Sequence, residues 1–206
     1  MAKMKLYYSP SSPYARKVRV LALETKLDKK IEMVNVALTP VAPNADVDKH
    51  NPIGKIPALS VKGIDLFDSP VICEYLDSQH KGRKLFPQKG RERWMALRQQ
   101  AMGDGLLDAA LLARYEGALR PEDRRWAEWS QGQVKKMNGV LDQLEAEAKS
   151  LKGKLTIGTV TIACALGYLD LRFTDMGWRD KRPKLAKWFA QTSKLPSIKA
   201  TAPPAA

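Results

Sequence analysis

The sequence predicts an α/β module followed by an all-helical module, and two observations support that prediction. Short strand-like and helix-like segments alternate through the first 80 residues in the order βαβ, loop, ββα, whereas helical periodicity dominates after about residue 91. The 206 residues are 44% hydrophobic and 28% charged, which is typical of a globular protein and excludes collagen-like, disulfide-framework and broadly disordered chains. We therefore expect a first domain over residues 1–80, a linker over 81–90 and a helical domain over 91–206.

The individual elements follow from hydrophobic periodicity and from turn-forming residues. Pro13 suits the first turn of a helix, because that turn does not need its N–H, and Lys62-Gly63 between two strand-like runs is typical of a tight hairpin. The expected strands are residues 5–9, 31–36, 56–61 and 64–67. The expected helices are residues 13–25, 69–80, 91–116, 121–148, 159–174 and 183–192, with loop over 37–50 and a proline-rich tail.

The net charge of +13 and an isoelectric point near 9.8 are unusual, and they suggest nucleic acid, an anionic membrane or an acidic small molecule as a partner. The first 80 residues carry a net charge of only +2, and the other residues carry +11. The basic residues of the helical half lack the interleaved aromatic residues of a nucleic-acid platform. We therefore expect a solvated helix surface and no nucleic-acid partner.

Few residues suit a metal, a disulfide or a membrane anchor. Cys73 and Cys164 lie far apart in apolar helical patterns, which predicts buried, inert thiols. His50 and His80 have no companion at metal-ligand spacing, so we expect no metal site. The sequence opens without a long apolar signal segment and contains no run of about 18 apolar residues, so we expect no membrane association and a cytoplasmic location.

Three serines lie where the first strand is expected to end and the first helix to begin. Residues 8–19 read YSPSSPYARKVR, and the serines are Ser9, Ser11 and Ser12. A helix start presents free backbone N–H groups and a positive dipole end, which attract an anion. Serines at this place also serve as ordinary N-caps, so the stretch alone leaves both interpretations open.

Two further stretches support a binding site. Residues 51–59, NPIGKIPAL, place a proline at the start of a strand. A cis bond from Ile56 to Pro57 would turn the Ile56 backbone outward to pair with an extended peptide, and a trans edge-strand proline is the alternative. Asp68-Ser69-Pro70 opens a helix, with Ser69 as the expected N-cap and Pro70 as the first helical residue. A ligand carboxylate would also be stabilised at that helix start.

In this order, the three elements resemble the N-terminal thioredoxin-like domain of the cytosolic glutathione S-transferases, and the likeness extends over the whole chain. Residues 155–172 are similar to the core helix of the family's helical domain, and residues 195–204 to the end of many bacterial members. Within the family the chain resembles the bacterial YibF-like group, with a serine at the catalytic position. Thr159 departs from the family pattern, because an Asp usually completes the capping box there, although Thr159 can still accept one bond.

The resemblance implies a thioredoxin-like βαβ-ββα domain followed by an all-helical domain, and it implies roles for individual residues. Ser12 would donate a hydrogen bond to the glutathione sulfur, with Ser11 and Ser9 as rival donors. The glutathione-binding residues would be Lys55, Ile56, Pro57, Asp68 and Ser69.

A second-substrate pocket is expected along the long helix after the linker. Residues 97, 101, 104, 108 and 112 share one face there, and Asp104 and Asp108 interrupt its apolar stripe. The stripe is either a solvated edge or a wall of the cleft, where the two aspartates would disfavour anionic electrophiles. The candidate pocket residues are Tyr14, Asp104, Asp108 and Tyr115.

The leading hypothesis is a homodimeric glutathione transferase that uses glutathione as co-substrate, needs no metal and detoxifies a small electrophile. One alternative is an interaction protein of the same fold without catalysis, like stringent starvation protein A. Another is a glutathione-dependent peroxidase or isomerase. The serine at position 12 argues against disulfide exchange, because that chemistry requires a thiol.

Overall fold

The computed structural model describes residues 4–204; residues 1–3 and 205–206 of the predicted domains lie outside that range. The strands are β1 (Met4–Tyr8), β2 (Ile31–Asn35), β3 (Ala58–Val61) and β4 (Ile64–Phe67). The helices are α1 (Pro13–Glu24), α2 (Ala45–Asp48), α3 (Ser69–Ser78), α4 (Gly90–Ala118), α5 (Ala127–Ala146), α6 (Ile157–Arg172), α7 (Pro183–Thr192) and α8 (Pro196–Ala200). The α/β segment followed by an all-helical segment confirms the predicted fold class.

The four strands form one mixed sheet in the order β2-β1-β3-β4. β1 runs parallel to β2 and antiparallel to β3, and β3 runs antiparallel to β4. Lys62 and Gly63 both have positive φ, 43° and 83°, as a tight type I′ hairpin between β3 and β4 requires. This is the thioredoxin-like arrangement that the sequence predicted.

The second half is organised around α6, which is buried along most of its length and packs against α4. A Cβ atom at Gly158 would lie 2.5 Å from the carbonyl oxygen of Ala96, so glycine permits the close approach of the two helices. The Thr156 N–H donates to Thr159 Oγ1 at 2.9 Å, and Thr156 Oγ1 accepts from the Thr159 N–H. The hydroxyl of Thr159 therefore completes the capping box without a carboxylate.

The segment between α3 and α4 is fixed to both halves of the chain. The buried Asp77 carboxylate accepts the backbone N–H groups of Leu85 and Phe86 at 2.9 and 3.0 Å. The carbonyl of Leu85 accepts the N–H of Ile157 at the start of α6, at 2.9 Å. The sheet half and the helical half are therefore connected by buried hydrogen bonds as well as by the chain.

Several expected boundaries were wrong. The expected loop over 37–50 contains α2, which Asn44 caps and whose Val47 is fully buried. The expected helix over 121–148 begins only at Ala127, because the Glu116 carboxylate accepts the Trp126 N–H at 2.8 Å and holds that segment in a turn. The strand expected from residue 56 begins at Ala58, and the proline-rich tail contains α8. No helix in the described part of the chain is both long and apolar enough to cross a membrane.

Candidate functional site

The register of the sheet brings three segments of the chain to one edge. Tyr7 pairs with Ala58, and Ala58 pairs with Phe67, so the end of β1, the start of β3 and the end of β4 lie side by side. Neighbouring strands are about 4.8 Å apart, which places the three segments within roughly 10 to 15 Å of one another. Residues 9–12, 56–57 and 68–69 continue from these three strand ends, so the three sequence motifs are neighbours in space.

Ser12 lies at the N-cap of α1, where its Oγ accepts the Ala15 N–H at 3.2 Å. Capping uses only a lone pair of the hydroxyl oxygen, so the hydroxyl hydrogen of Ser12 stays available to a ligand. Ser9 Oγ and Ser11 Oγ contact each other at 3.2 Å, which engages one of their two hydrogens. Within residues 4–204 the backbone N–H of Tyr14 has no hydrogen-bond acceptor, so the start of α1 retains one free donor.

The tyrosine hydroxyls near this helix start are already engaged. Tyr7 contacts His50 Nε2 at 2.7 Å, and His50 Nδ1 lies 3.0 Å from Asp65 Oδ1. A carboxylate can only accept, so His50 Nδ1 donates to Asp65, and the other ring nitrogen engages the Tyr7 hydroxyl. The Tyr14 hydroxyl donates to Asp108, and burial followed by that hydrogen bond raises the pKa of Tyr14 far above its usual value. Both phenol hydroxyls are therefore already engaged by other side chains.

The Ile56–Pro57 peptide bond is cis. Within residues 4–204 no backbone hydrogen bond involves Ile56, so its N–H and C=O can pair with an added peptide. The Asn51 side chain shapes this loop, because its Nδ2 donates to the Lys55 carbonyl at 2.8 Å and its Oδ1 accepts the Ile53 N–H at 3.0 Å. Lys55 is exposed at the rim of the loop. Sequence reasoning missed Asn51.

The helix after β4 begins at Ser69, one residue before the Pro70 start that the expected Ser69 cap implied. Asp68, with φ +60°, occupies the N-cap position without a side-chain cap bond, so the expectation that Ser69 is the N-cap was wrong, and Pro70 is the second helical residue. Ser69 is 1% exposed, and its Oγ has no hydrogen-bond partner in the described part of the chain. A buried unsatisfied hydroxyl costs about 1 to 3 kcal/mol, and a ligand carboxylate at this helix start would remove that cost.

Asp104 and Asp108 of α4 both contact α1. The Lys17 ammonium, whose side chain is 0% exposed, lies 2.6 Å and 2.8 Å from the two oxygens of Asp104, which is 19% exposed. Burial raises the pKa of the Asp104 carboxyl, and the Lys17 charge opposes that rise. Tyr115 lies half-buried on the same helix, and burial raises its pKa. The middle of the predicted stripe therefore faces the first domain, whereas Leu112 at its end is exposed.

A narrow crevice separates the start of α1 from α6. Its lining residues are Pro10, Ser11, Ser12, Pro13, Arg16, Cys164, Tyr168 and Pro203.

Both cysteines are buried as predicted, and burial raises the pKa of each thiol, so neither is a reactive thiolate. Among the residues described, no group of three or more potential metal ligands comes together. Tyr168 was not predicted as a site residue, although a tyrosine in so apolar a helix could have indicated a functional position.

Two family models match the chain. The model described as "Glutathione S-transferase, N-terminal domain" matches residues 11–79, and "Glutathione S-transferase, C-terminal domain" matches residues 127–191. The GST-like protein YibF of Escherichia coli strain K12 is 33% identical, over 98% of this chain and 100% of its own length.

Solved structures are similar over nearly the whole chain. A glutathione transferase family member from Pseudomonas fluorescens Pf-5 with bound glutathione is 45% identical with a TM-score of 0.97, over 98% of this chain and 100% of that one. A structure of such a family member with bound S-(propanoic acid)-glutathione, also from Pf-5, is 44% identical with a TM-score of 0.92 and the same coverage.

Proposed function

Because the chain belongs to the glutathione S-transferase family, we propose that it binds glutathione at this edge of the sheet and transfers its thiolate to a small electrophile. The observation that carries the proposal is the pairing of Tyr7 with Ala58 and of Ala58 with Phe67. That register brings three groups together. They are the free hydroxyl of Ser12 at the start of α1, the unpaired backbone of Ile56, and the buried Ser69 at the start of α3. These three groups suit the thiol, the peptide backbone and the γ-glutamyl carboxylate of glutathione.

Each part of glutathione then has a partner. The Ile56 backbone pairs with the cysteinyl residue, and Pro57 holds the geometry. Ser69 Oγ and the N–H groups at the start of α3 bind the γ-glutamyl carboxylate, and this contact satisfies the buried hydroxyl. Asp68 is exposed beside them and binds the γ-glutamyl ammonium. Lys55, exposed on the loop, pairs with the glycyl carboxylate.

Ser12 is the residue that we propose as donor to the sulfur. A thiol with a pKa of about 8.5 must be lowered by roughly 2 units, or about 2.7 kcal/mol, to be mostly thiolate at neutral pH. A hydrogen bond to a charged group contributes about 1.5 to 3 kcal/mol, and a helix start about 0.3 to 1 kcal/mol. The two together suffice without a general base. Ser12 is favoured over Ser9 and Ser11 because those two hydroxyls already contact each other.

The second substrate enters between α1 and α4, beside Tyr14, Asp104, Asp108 and Tyr115. The relative from Pseudomonas fluorescens holds a glutathione whose sulfur carries a propanoic acid, and this supports transfer to a small carbon electrophile in our chain.

We also propose a homodimer in the cytoplasm. Large apolar side chains exposed on β4, α3 and α4 support the dimer, namely Ile64, Val71 and Trp94.

Glutathione titration tests the proposal. Binding at 100 times the dissociation constant stabilises the folded state by about 2.7 kcal/mol, which a melting curve detects. Thiolate absorbance of the bound ligand near neutral pH should accompany the shift, and S-methylglutathione is the control that binds without forming a thiolate. A panel of electrophiles and peroxides then distinguishes transfer from peroxidase or isomerase chemistry. Absence of any melting shift would favour a non-catalytic interaction protein.

A further inference from the structure

Four side chains that carry hydrogen-bond donors lie in the second halves of α4 and α6, which pack against each other, and take no part in the proposed glutathione site. They are Arg114 and Tyr115 on α4, and Tyr168 and Arg172 on α6. Within residues 4–204, neither guanidinium forms an ion pair or a hydrogen bond, and neither phenol hydroxyl has a partner. The Nε of Arg172 is buried and unsatisfied. Buried donors are normally paired, so the Arg172 Nε is left short of an acceptor, and the three donors beside it are free to bind the same group.

The cluster adjoins the place where the sulfur would lie. Tyr168 lines the crevice together with Ser11 and Ser12, and Arg172 follows Tyr168 by one helical turn on the same face of α6. A Cβ atom at Gly103 of α4 would lie 2.7 Å from Thr161 of α6, and Arg114 and Arg172 each follow that close approach by three turns on helices that run in the same direction. Both guanidinium groups therefore lie near Tyr168, whose pKa burial raises and the charges of Arg114 and then Arg172 lower. Tyr168 therefore lies between Ser12 and the two arginines.

The acidic residues around this crevice are already engaged. Asp104 is paired with Lys17, and Asp108 accepts the Tyr14 hydroxyl. Arg16, which also lines the crevice, is 5% exposed, donates to the Ile198 carbonyl at 3.0 Å and has an unsatisfied Nε. Asp108 keeps its negative charge, because its partner is a neutral phenol, but Arg16, Arg114 and Arg172 have no carboxylate partner in the described part of the chain. The net unpaired charge at this end of the crevice is therefore positive.

We infer that the second substrate carries a carboxylate, which Arg114 and Arg172 bind together with the hydroxyls of Tyr115 and Tyr168. A guanidinium matches a carboxylate with two parallel hydrogen bonds, and phenol hydroxyls supply further donors. This inference rests on the proposed transfer reaction and names its substrate class. It reverses the expectation that Asp104 and Asp108 disfavour anionic electrophiles, because Lys17 neutralises Asp104 and the unpaired arginines outnumber Asp108.

Product-like ligands that differ only in charge test the inference without requiring turnover. Glutathione alkylated with iodoacetate gives S-carboxymethylglutathione, and iodoacetamide gives the S-carbamoylmethyl compound of nearly the same shape. Isothermal titration calorimetry of both, with S-methylglutathione as reference, measures the effect of the added carboxylate. We expect the acid to bind about 10 to 100 times more tightly than the amide, as charge-assisted hydrogen bonds imply.

Three variants assign that preference to the cluster. Arg172→Gln and Arg114→Gln should each reduce the ratio of acid to amide affinity at least several-fold while the affinity for S-methylglutathione stays unchanged. Arg91→Gln is the matched control, because it removes the same charge from an exposed position on α4 about 35 Å from Arg114. That variant should keep the full ratio.

Each outcome decides the inference. Equal binding of acid and amide by the unmodified protein, or a ratio that survives in both arginine variants, overturns it and leaves the proposed function intact. Failure of all three ligands to bind overturns the proposed function and this inference with it. Should either arginine variant fail to fold, the comparison of acid and amide in the unmodified protein still decides whether a carboxylate is preferred.

Discussion

Replacing Ser12 with alanine removes the hydroxyl hydrogen that we propose stabilises the glutathione thiolate. That bond contributes about 1.5 to 3 kcal/mol, and one pKa unit corresponds to about 1.36 kcal/mol, so the thiol pKa of bound glutathione should rise by about 1 to 2 units. Because the rate follows the thiolate fraction, the catalytic rate at about pH 6.5 should fall roughly 10- to 100-fold. The deficit should shrink as the pH rises above the new pKa.

The measurement is the ultraviolet absorbance of the bound thiolate as a function of pH, in parallel with the pH–rate profile. Ser12→Ala also removes the N-cap of α1, at a cost of about 1 kcal/mol, whereas Ser12→Gly loses only a few tenths. The two variants should therefore share the same pKa rise but differ in melting temperature. Ser12→Thr retains both the hydroxyl and the cap, and should retain a thiolate near neutral pH.

Two results would refute the reasoning. An unchanged thiolate pKa in Ser12→Ala would exclude this hydroxyl as the donor. The same rise in Ser9→Ala or Ser11→Ala, without one in Ser12→Ala, would assign the role to the contacting pair of serines.

Three other perturbations test separate parts of the structure. Ser69→Ala should raise the KM for glutathione about tenfold without lowering the melting temperature of the free protein, since the lost hydroxyl has no described protein partner; an unchanged KM would contradict its role. Lys17→Met should destabilise the fold by about 3 kcal/mol in urea unfolding, because it leaves the Asp104 carboxylate without its buried partner; a loss below about 1 kcal/mol would show that the pair is dispensable. The Trp126 N–H holds the pKa of the Glu116 carboxyl below its usual value. The stability that the ionised Glu116 adds to the fold is therefore fully present above the unfolded pKa of about 4.3, and it is lost as the pH falls through the lower pKa of the folded state. Melting curves between about pH 3 and pH 6 should therefore show a smaller acid-induced loss of stability in Glu116→Gln than in the unmodified protein.

The elements that the sequence predicted well are those that nearby residues determine. The turn at Lys62-Gly63 fixes the β3–β4 hairpin, and Pro183 marks the start of α7, so both boundaries followed from neighbouring residues. The short helix α2 was missed because its stability comes from the burial of Val47, which periodicity over four residues does not reveal. The start of α5 depends on the carboxylate of Glu116, ten residues earlier and on another helix.

The candidate site shows the same contrast between features that neighbouring residues determine and features that depend on distant packing. The three segments that we propose bind glutathione could be located because each follows or precedes a strand, and sheet topology then makes the strand ends neighbours. Helical spacing placed Asp104 and Asp108 on one face of α4 but could not show which groups that face meets. Their partners, Lys17 and Tyr14, are 87 and 94 residues away, so only packing reveals that Lys17 neutralises Asp104 and that Asp108 accepts a phenol hydroxyl.

Helix α1 joins the two halves of the chain into one site. It begins at the proposed sulfur donor, Ser12, and within the next turn Tyr14 and Lys17 contact α4 while Arg16 reaches the carbonyl of Ile198 in α8. The helical half therefore fixes the direction in which the start of α1 points, and with it the position of the hydroxyl. Without the helical half, the Lys17 ammonium would lack the Asp104 carboxylate that pairs with it, and α1 would lose its contacts with α4 and α8. The change in composition near residue 81 thus marks a change in secondary structure and not a break in packing, and the glutathione activation that we propose depends on both halves.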